Sequence, residues 1–351
     1  MVTIKEVAKA CGVSVATVSN IINQKPGTSD KTREKVLDMI EKMQYTPNVL
    51  AKNLKMQKTR SIGVIVEDMT IFSIPDIVDG ITEHCEEVEY QILLTNLRLF
   101  KKYNDTYYDR DDYYDLVRDE MRKLREKQVE GIIYVAAHER AIPVVEEDFK
   151  FPLVMAYGYS ENDHVPSVVV DDTKGAYEIV SYLIACGHKK IGLITGKKYS
   201  FHTQARLLGY QKALYDEKIL YDPELVCTGD WTRESGYQYV DYLLEKGVTA
   251  LFCMNDLMAG GVYDRMDELH MEIGKEMSVV GYDNRELSNY YKPPLTTMTL
   301  PLHDIGYRAS EIMIEMLEGK TIKKEELVSS VECKMNIRKS VQDLKNDTKE
   351  L

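Results

Sequence analysis

The sequence predicts a small all-α module joined to a mostly parallel, doubly wound α/β body, and three observations carry that prediction. Capped helical patterns fill the first 45 or so residues. From Ser61 onward, β-branched runs alternate with helical patterns. The charge also changes sign between the two parts. Residues 1–60 hold eleven Lys/Arg against five Asp/Glu, a balance of +6, which leaves −18 for the rest of a chain whose formal charge is −12. A basic module ahead of an acidic body is expected where only one end meets phosphates.

The first helix starts at Thr3, with Glu6 at capping-box spacing. Ile4, Val7, Ala8 and Cys11 give it an apolar stripe, and Gly12 is a natural stop. Ser14 is the next N-cap, and Val18, Ile21 and Ile22 form the buried face of a second helix. Two short helices joined by a Gly-containing turn make a helix-turn-helix. If that face is buried, Ser14, Val15, Ala16 and Asn20 point outward. Small apolar groups suit thymine methyls and Asn pairs with adenine in a major groove, although a plain helical bundle with a solvated face would share the pattern. A third helix follows the cap Ser29, with Val36, Leu37, Ile40 and Met43 on one face, before Tyr45-Thr46-Pro47-Asn48 and a short run VLAKNLK.

In the body, SIGVIVED is a strand, followed by a helix from about 75 to 88, the strand YQILLTNL, a helix near 110–128 and the strand GIIYVAA. A short helix near 140–147, the strands LVMAYG and SVVVDD, and a helix at 173–186 come next. KIGLITG, LVCTGDW, ALFCMND and SVVGYDN are strands, each of the first three followed by a helix, at 202–217, 232–246 and 256–270. Apolar strands in this number exceed one sheet, so two α/β subdomains are expected. Between YQILLTNL and the next helix lies RLFKKYNDTYYDRDDYYD (98–115), dense in Tyr and charge. Two readings stand: a solvated surface loop, or an overhang of the cleft at the carboxyl ends of the strands.

SVATVSNIIN, SDKTREKV and YTPNVLAKNL, in that order and spacing, resemble the DNA-binding headpiece of the lactose-repressor/galactose-repressor (LacI/GalR) family. The blocks GHKKIGLITG, QARLLGYQKAL, GDWTRESGY, ALFCMNDLMAGGV, SVVGYDN and YYKPPLTTM extend the resemblance to about Lys339. It implies a headpiece with hinge helix over 1–58 and an effector-binding and dimerisation domain over 59–339 of the type I periplasmic-binding-protein fold. Subdomain one is expected at about 61–170 plus 301–327, subdomain two at about 171–300 plus 328–339, and a polar tail at 340–351. The recognition helix would run from Ser14 to about Asn23. Val15, Ala16 and Asn20 would read bases, and Thr3, Ser14, Thr17, Ser19, Asn23, Ser29, Tyr45, Asn48 and Ala51 would border the DNA, mainly at phosphates. Leu54 would wedge into the minor groove. The partners implied are double-stranded operator DNA, a small polar effector (a sugar foremost) and a second copy of the chain.

Ligands of open α/β sheets bind at strand carboxyl ends. Trp231, Asn255 and Asp283 end such strands and Arg206 follows another, matching the family's effector floor, with Phe72 and Tyr157 as aromatic walls on the other half. Taken singly, Asn255 and Asp283 also read as turn residues and Trp231 as core. Asp171-Asp172 suggests acid–base or metal work, or more simply a crossover and helix cap.

No enzyme is expected: the histidines at 84, 138, 164, 188, 202, 270 and 303 lack H-E-x-x-H or other metal-ligand spacing, and no G-x-S-x-G, P-loop or strand-linked G-x-G-x-x-G occurs. Neither a cofactor nor a metal is expected. The six scattered cysteines suit reduced, mostly buried thiols. The N-terminus shows no apolar signal segment and no run is long enough to span a membrane, so a cytoplasmic protein is expected. The alternative, an exported solute-binding protein, requires an export signal and no basic headpiece. The tail lacks the Leu heptads of a tetramer zipper.

Overall fold

The structure is a computed structural model that describes residues 2–45, 59–104, 107, 110, 112–143, 149–160, 162 and 164–347. It divides into a headpiece, to Thr59, and a body, from Arg60.

The headpiece helices are α1 (Ile4–Cys11), α2 (Val15–Ile22) and α3 (Asp30–Lys42). The capping box at α1 is complete: Thr3 N donates to Glu6 Oε2 (2.7 Å) and Glu6 N to Thr3 Oγ1 (3.4 Å). Gly12 takes φ 65°, the left-handed stop its position requires. Val7, Ala8, Cys11, Val18, Ile21 and Val36 form the headpiece core, with Ile40, Met43 and Tyr45 packed against it. Leu37 departs from the expected face: it is 47% exposed, because the single buried position of α3 is Val36. The hinge positions Asn48, Ala51 and Leu54 lie outside the described residues.

The body contains two six-stranded sheets. The first has the order β13-β7-β5-β3-β1-β2, formed by β1 (Ser61–Val66), β2 (Gln91–Asn96), β3 (Gly131–Val135), β5 (Leu153–Ala156), β7 (Ser167–Val170) and β13 (Val328–Val331), all parallel. The second has the order β14-β12-β11-β10-β8-β9: β8 (Ile191–Thr195), β9 (Val226–Thr228), β10 (Ala250–Cys253), β11 (Ser278–Asp283), β12 (Thr296–Thr299) and β14 (Lys334–Asn336), with only β14 antiparallel. Helices α4 (Ser73–Glu87), α5 (Leu99–Tyr103) and α6 (Tyr114–Glu126) belong to the first sheet's half. On the second lie α7 (Asp172–Ala185), α8 (Phe201–Asp216), the short α9 (Arg233–Gln238) and α10 (Val240–Glu245), and α11 (Asp256–Glu268). Helix α12 (Leu302–Leu317) returns to the first half and packs on α4. The two helices cross on reciprocal glycines: a Cβ on Gly80 would sit 2.0 Å from His303 O, and one on Gly306 1.9 Å from Ile77 O.

Several boundaries differ from expectation. Residues 328–331 belong to the first subdomain, because β13 completes the first sheet beside β7; the last crossover therefore follows Val331, not 327. The segment near 140–147 begins as a two-residue strand, β4 (Ala141–Ile142), paired with β6 (Tyr159–Ser160), and 144–148 lie outside the described residues. The start of the tail is no free polar end. Ser340 is fully buried, accepts from Thr296 N (2.8 Å) and donates to Val279 O (2.6 Å), and Leu344 N donates to Cys186 O (2.9 Å). All six cysteines are free thiols, five of them buried. Among the described residues no helix is long and apolar enough to cross a membrane.

The insertion is exposed at most of its described positions, but Leu99, Tyr107 and Tyr113 turn inward. Tyr107 and Tyr113 are fully buried around Glu67, itself fully buried just past β1. Glu67 accepts from the Tyr107 hydroxyl (3.0 Å), the Tyr134 hydroxyl (2.7 Å), Ala137 N (2.8 Å) and Arg140 Nη2 (2.5 Å), while Arg140 also donates to the Tyr113 hydroxyl (2.8 Å). A carboxylate can be buried at tolerable cost when its lone pairs are met this fully.

Candidate functional site

On the headpiece, α2 buries Val18 and Ile21 and leaves Ser14, Val15, Ala16 and Asn20 exposed along its other face. Ser14 caps the helix, accepting from Thr17 N (3.0 Å), and its hydroxyl meets that of Thr17 (2.8 Å). Asn23 spends a donor locally on Ser19 O (2.7 Å), and the Ser29 hydroxyl meets that of Thr32 (2.9 Å) rather than a backbone amide. Thr3 is exposed, Ser19 half-buried, and Tyr45 half-buried against the core. Among the described residues Asn20 has no side-chain hydrogen-bond partner, which leaves its amide exposed.

In the body, strand ends of both sheets meet across a cleft. Asp171 caps α7, accepting from Lys174 N (3.0 Å), as the simpler reading of the acidic pair expects. Asp172 does more. It is buried and binds two side chains one turn apart on α8, Arg206 Nε to Oδ1 at 2.8 Å and His202 Nδ1 to Oδ2 at 2.5 Å. Burial would raise its pKa, yet Arg206 and His202 bring it down to about 2. Arg206 is 2% exposed and also donates to Met254 O; its guanidinium stacks 3.7 Å above the Tyr282 ring and lies 5.8 Å from that of Trp231. Asp283 sits 3.7 Å from Arg206 Nη1 with φ 101°, and burial pushes its carboxyl up to about 8.

Asn255 is the N-cap of α11: its Oδ1 accepts from Met258 N (2.8 Å) and its Nδ2 donates to Trp231 O (3.0 Å). It therefore positions Trp231, which is half-buried with φ 76° and packs over Gly196. From the opposite half, Tyr157 stacks on His202 (centroids 5.3 Å), Tyr159 on Phe201 (5.9 Å), Glu139 N donates to His202 Nε2 (3.3 Å), and the Arg285 guanidinium lies 4.7 Å from the Phe72 ring centre. Of the six expected cleft residues, Arg206, Asp283, Trp231 and Asn255 are linked directly, Tyr157 packs on His202, and Phe72 lies against Arg285.

Sequence reasoning missed Asp172, His202, Glu139 and Arg285 as members of this cluster. His202 was within reach, since it lies four residues before Arg206 and so shares its helix face.

Residues 3–48 match the model of bacterial regulatory proteins of the lacI family, and 180–341 that of a periplasmic binding protein-like domain. The chain is 32% identical over 324 residues to the HTH-type transcriptional repressor PurR of Vibrio atlanticus, covering 91% of this chain and 93% of that one. The chain belongs to the LacI family. The PurR repressor of Haemophilus influenzae (strain PittEE) is 33% identical over 327 residues, covering 91% and 92%. Among solved structures, a lac repressor dimer bound to operator and an anti-inducer aligns with TM-score 0.75 at 26% identity, over 97% of this chain and 99% of that one. As a LacI-family member the protein is a DNA-binding transcriptional repressor with an effector-binding domain, and it is not an enzyme.

Proposed function

We propose that the protein acts in the cytoplasm as a homodimeric repressor of a pseudo-palindromic operator, released or tightened by a small polar effector, with a sugar as the first candidate. Each headpiece reads one half-site through Val15, Ala16 and Asn20. Thr3, Ser14, Thr17, Ser19, Asn23, Ser29, Tyr45, Asn48 and Ala51 border the backbone, and Leu54 wedges the centre. The observation that carries this is the exposed face of α2, where Val15, Ala16 and Asn20 stand together on a capped helix with its other side buried. Effector bound among Arg206, Asp283, Trp231, Phe72 and Tyr157, with Asn255 fixing Trp231, biases the cleft toward one arrangement. Coupling of ~1–3 kcal/mol between cleft and DNA is enough for such a switch.

The test is operator affinity of the full chain against salt. A dimer contacting roughly 6–10 phosphates loses about 10³–10⁵ in affinity between 50 and 200 mM salt. Repeating the titration with a panel of sugars and nucleobases identifies the effector and the sign of its action. A protein that binds no duplex at low salt, with or without the panel, is not this repressor.

A further inference from the structure

We propose that the tyrosine-rich insertion positions the cleft. Tyr107 and Tyr113 hold, through Glu67 and Arg140, the two segments by which the first half reaches the second, and so govern closure without touching effector. The inference rests on the cleft being the effector site proposed above.

The two segments leave neighbouring strands. β1 and β3 lie side by side, Val66 against Val135, and run on at their carboxyl ends into residues 67–72 and 136–140. Each segment carries a contact to the second half. Phe72 lies against Arg285 (4.7 Å), and Glu139 N donates to His202 Nε2 (3.3 Å). Ser73 Oγ donates to Ala137 O (3.0 Å), which ties the two segments to each other.

The insertion is bonded to both. At its start, Leu99 N donates to Glu67 O (2.9 Å) and Lys101 N to Asp68 Oδ2 (3.1 Å). Asp68 Oδ1 accepts from Thr70 N (3.0 Å) in the turn that leads to Phe72. Farther along, Tyr107 donates to Glu67 Oε2, the same oxygen that accepts from Ala137 N, and Tyr113 accepts from Arg140. The Arg140 guanidinium also lies 5.5 Å from the Tyr107 ring centre.

Glu67, Tyr107 and Tyr113 are fully buried, so neither tyrosine can meet effector. Both hydroxyls are nonetheless spent, and on the groups that fix the segments. A core plug needs only the rings, and phenylalanine would serve it as well. A buried carboxylate that loses a donor must shift toward another partner, and here that shift carries the segments with it. Tyr107 and Tyr113 are therefore positioning residues, coupled to the cleft through a continuous chain of bonded groups.

Trp231, the only tryptophan in the chain and half-buried at the cleft floor, reads closure without effector or DNA. Acrylamide quenching of its fluorescence is compared in full chains of wild type, Tyr107→Phe, Tyr113→Phe and the double variant, well below their melting temperatures. Each lost hydroxyl should move the closed–open balance about fivefold toward open, read as stronger quenching. Tyr210→Phe removes a buried hydroxyl bond of the same kind, to Ile191 O (2.8 Å) at the end of β8 away from the cleft, and should lower the melting temperature without raising quenching. The proposal is overturned if Tyr113→Phe and the double variant quench as wild type does, or if Tyr210→Phe raises quenching as much as they do. The insertion is then core packing alone. A double variant that does not fold leaves the decision to Tyr113→Phe. Because the reading needs neither ligand nor duplex, its failure is distinct from failure of the repressor assignment.

Discussion

The Arg285 guanidinium lies 4.7 Å from the ring centre of Phe72, and the two residues come from opposite subdomains. Phe72 precedes α4 and Arg285 follows β11, so no local chain geometry forces the contact. It bridges the two halves of the cleft, so its loss would be felt by any arrangement that brings them together. A half-exposed cation–π pair contributes ~0.5–1 kcal/mol. Phe72→Ala should therefore weaken effector affinity about three- to fivefold through the closed state, leaving operator affinity without effector close to wild type. Calorimetry with the identified effector checks the first, and a gel-shift titration the second. A loss as large for Phe72→Leu would assign the effect to packing instead.

Asp283 carries the pH dependence of the empty cleft. Its carboxyl is pushed up to about 8 by burial, from the 3.8 it has unfolded, and Asp256 is pushed up to about 7 by burial. The folded chain then holds protons that the unfolded chain releases, so these groups lose stability as pH rises from about 4 to 8. Asp172, down at about 2, works in the opposite direction and only at acid pH. Asp283→Asn should flatten the decline between pH 5 and 8 by at least about 1 kcal/mol, read from denaturant midpoints at each pH. An unchanged slope would mean that Asp283 stays ionised beside Arg206. The same substitution should blunt the effector response.

Asn255 tests positioning against binding. Both ends of its amide are engaged within the protein, capping α11 and holding Trp231 O. Asn255→Ala should cost about 1–2 kcal/mol of stability from the lost cap and weaken effector binding through a loosened Trp231. Asn255→Asp keeps the cap acceptor and loses only the bond to Trp231. Near wild-type stability with reduced effector affinity is the expected pair of readings for that variant. If both variants bind effector normally, Trp231 does not depend on Asn255.

Much of this architecture was legible in the residues because it rests on local pattern. Val18 and Ile21 repeat at helical spacing and are the buried positions of α2; IGVIV and ALFC carry no polar side chain outside Cys253 and lie inside their sheets, each between two strands. Strand-end logic likewise brought Arg206, Trp231, Asn255 and Asp283 together. Contacts made across long separations were not legible. Glu139, Asp172 and His202 meet from distant parts of the chain, and although Asp172 stood out as half of an acidic pair and His202 shares a helix face with Arg206, nothing local joins Glu139 to them. Tyr107 and Tyr113 sit in a run that is polar by composition, yet Glu67 and Arg140, far along the chain, give their hydroxyls partners in the interior. Leu37 failed for the opposite reason: it has the right spacing, but the three-helix core is too small to cover it.

Asn20 separates reading from gripping. It is exposed on α2 beside Ala16, and its amide has the donor and acceptor that adenine's N7 and N6 edge requires. Asn20→Ala should relax preference at one operator position by ~1–3 kcal/mol, while the salt slope of binding stays as in wild type because no phosphate contact is lost. Lys5→Ala or Lys9→Ala on the exposed side of α1 would behave differently if either lysine grips phosphate, weakening all sequences alike and lowering the slope by about one. A binding series over all four bases at each half-site position, at two salt concentrations, distinguishes the two outcomes. Equal weakening on every sequence after Asn20→Ala would make Asn20 a backbone contact, and base reading would then rest on Val15 and Ala16.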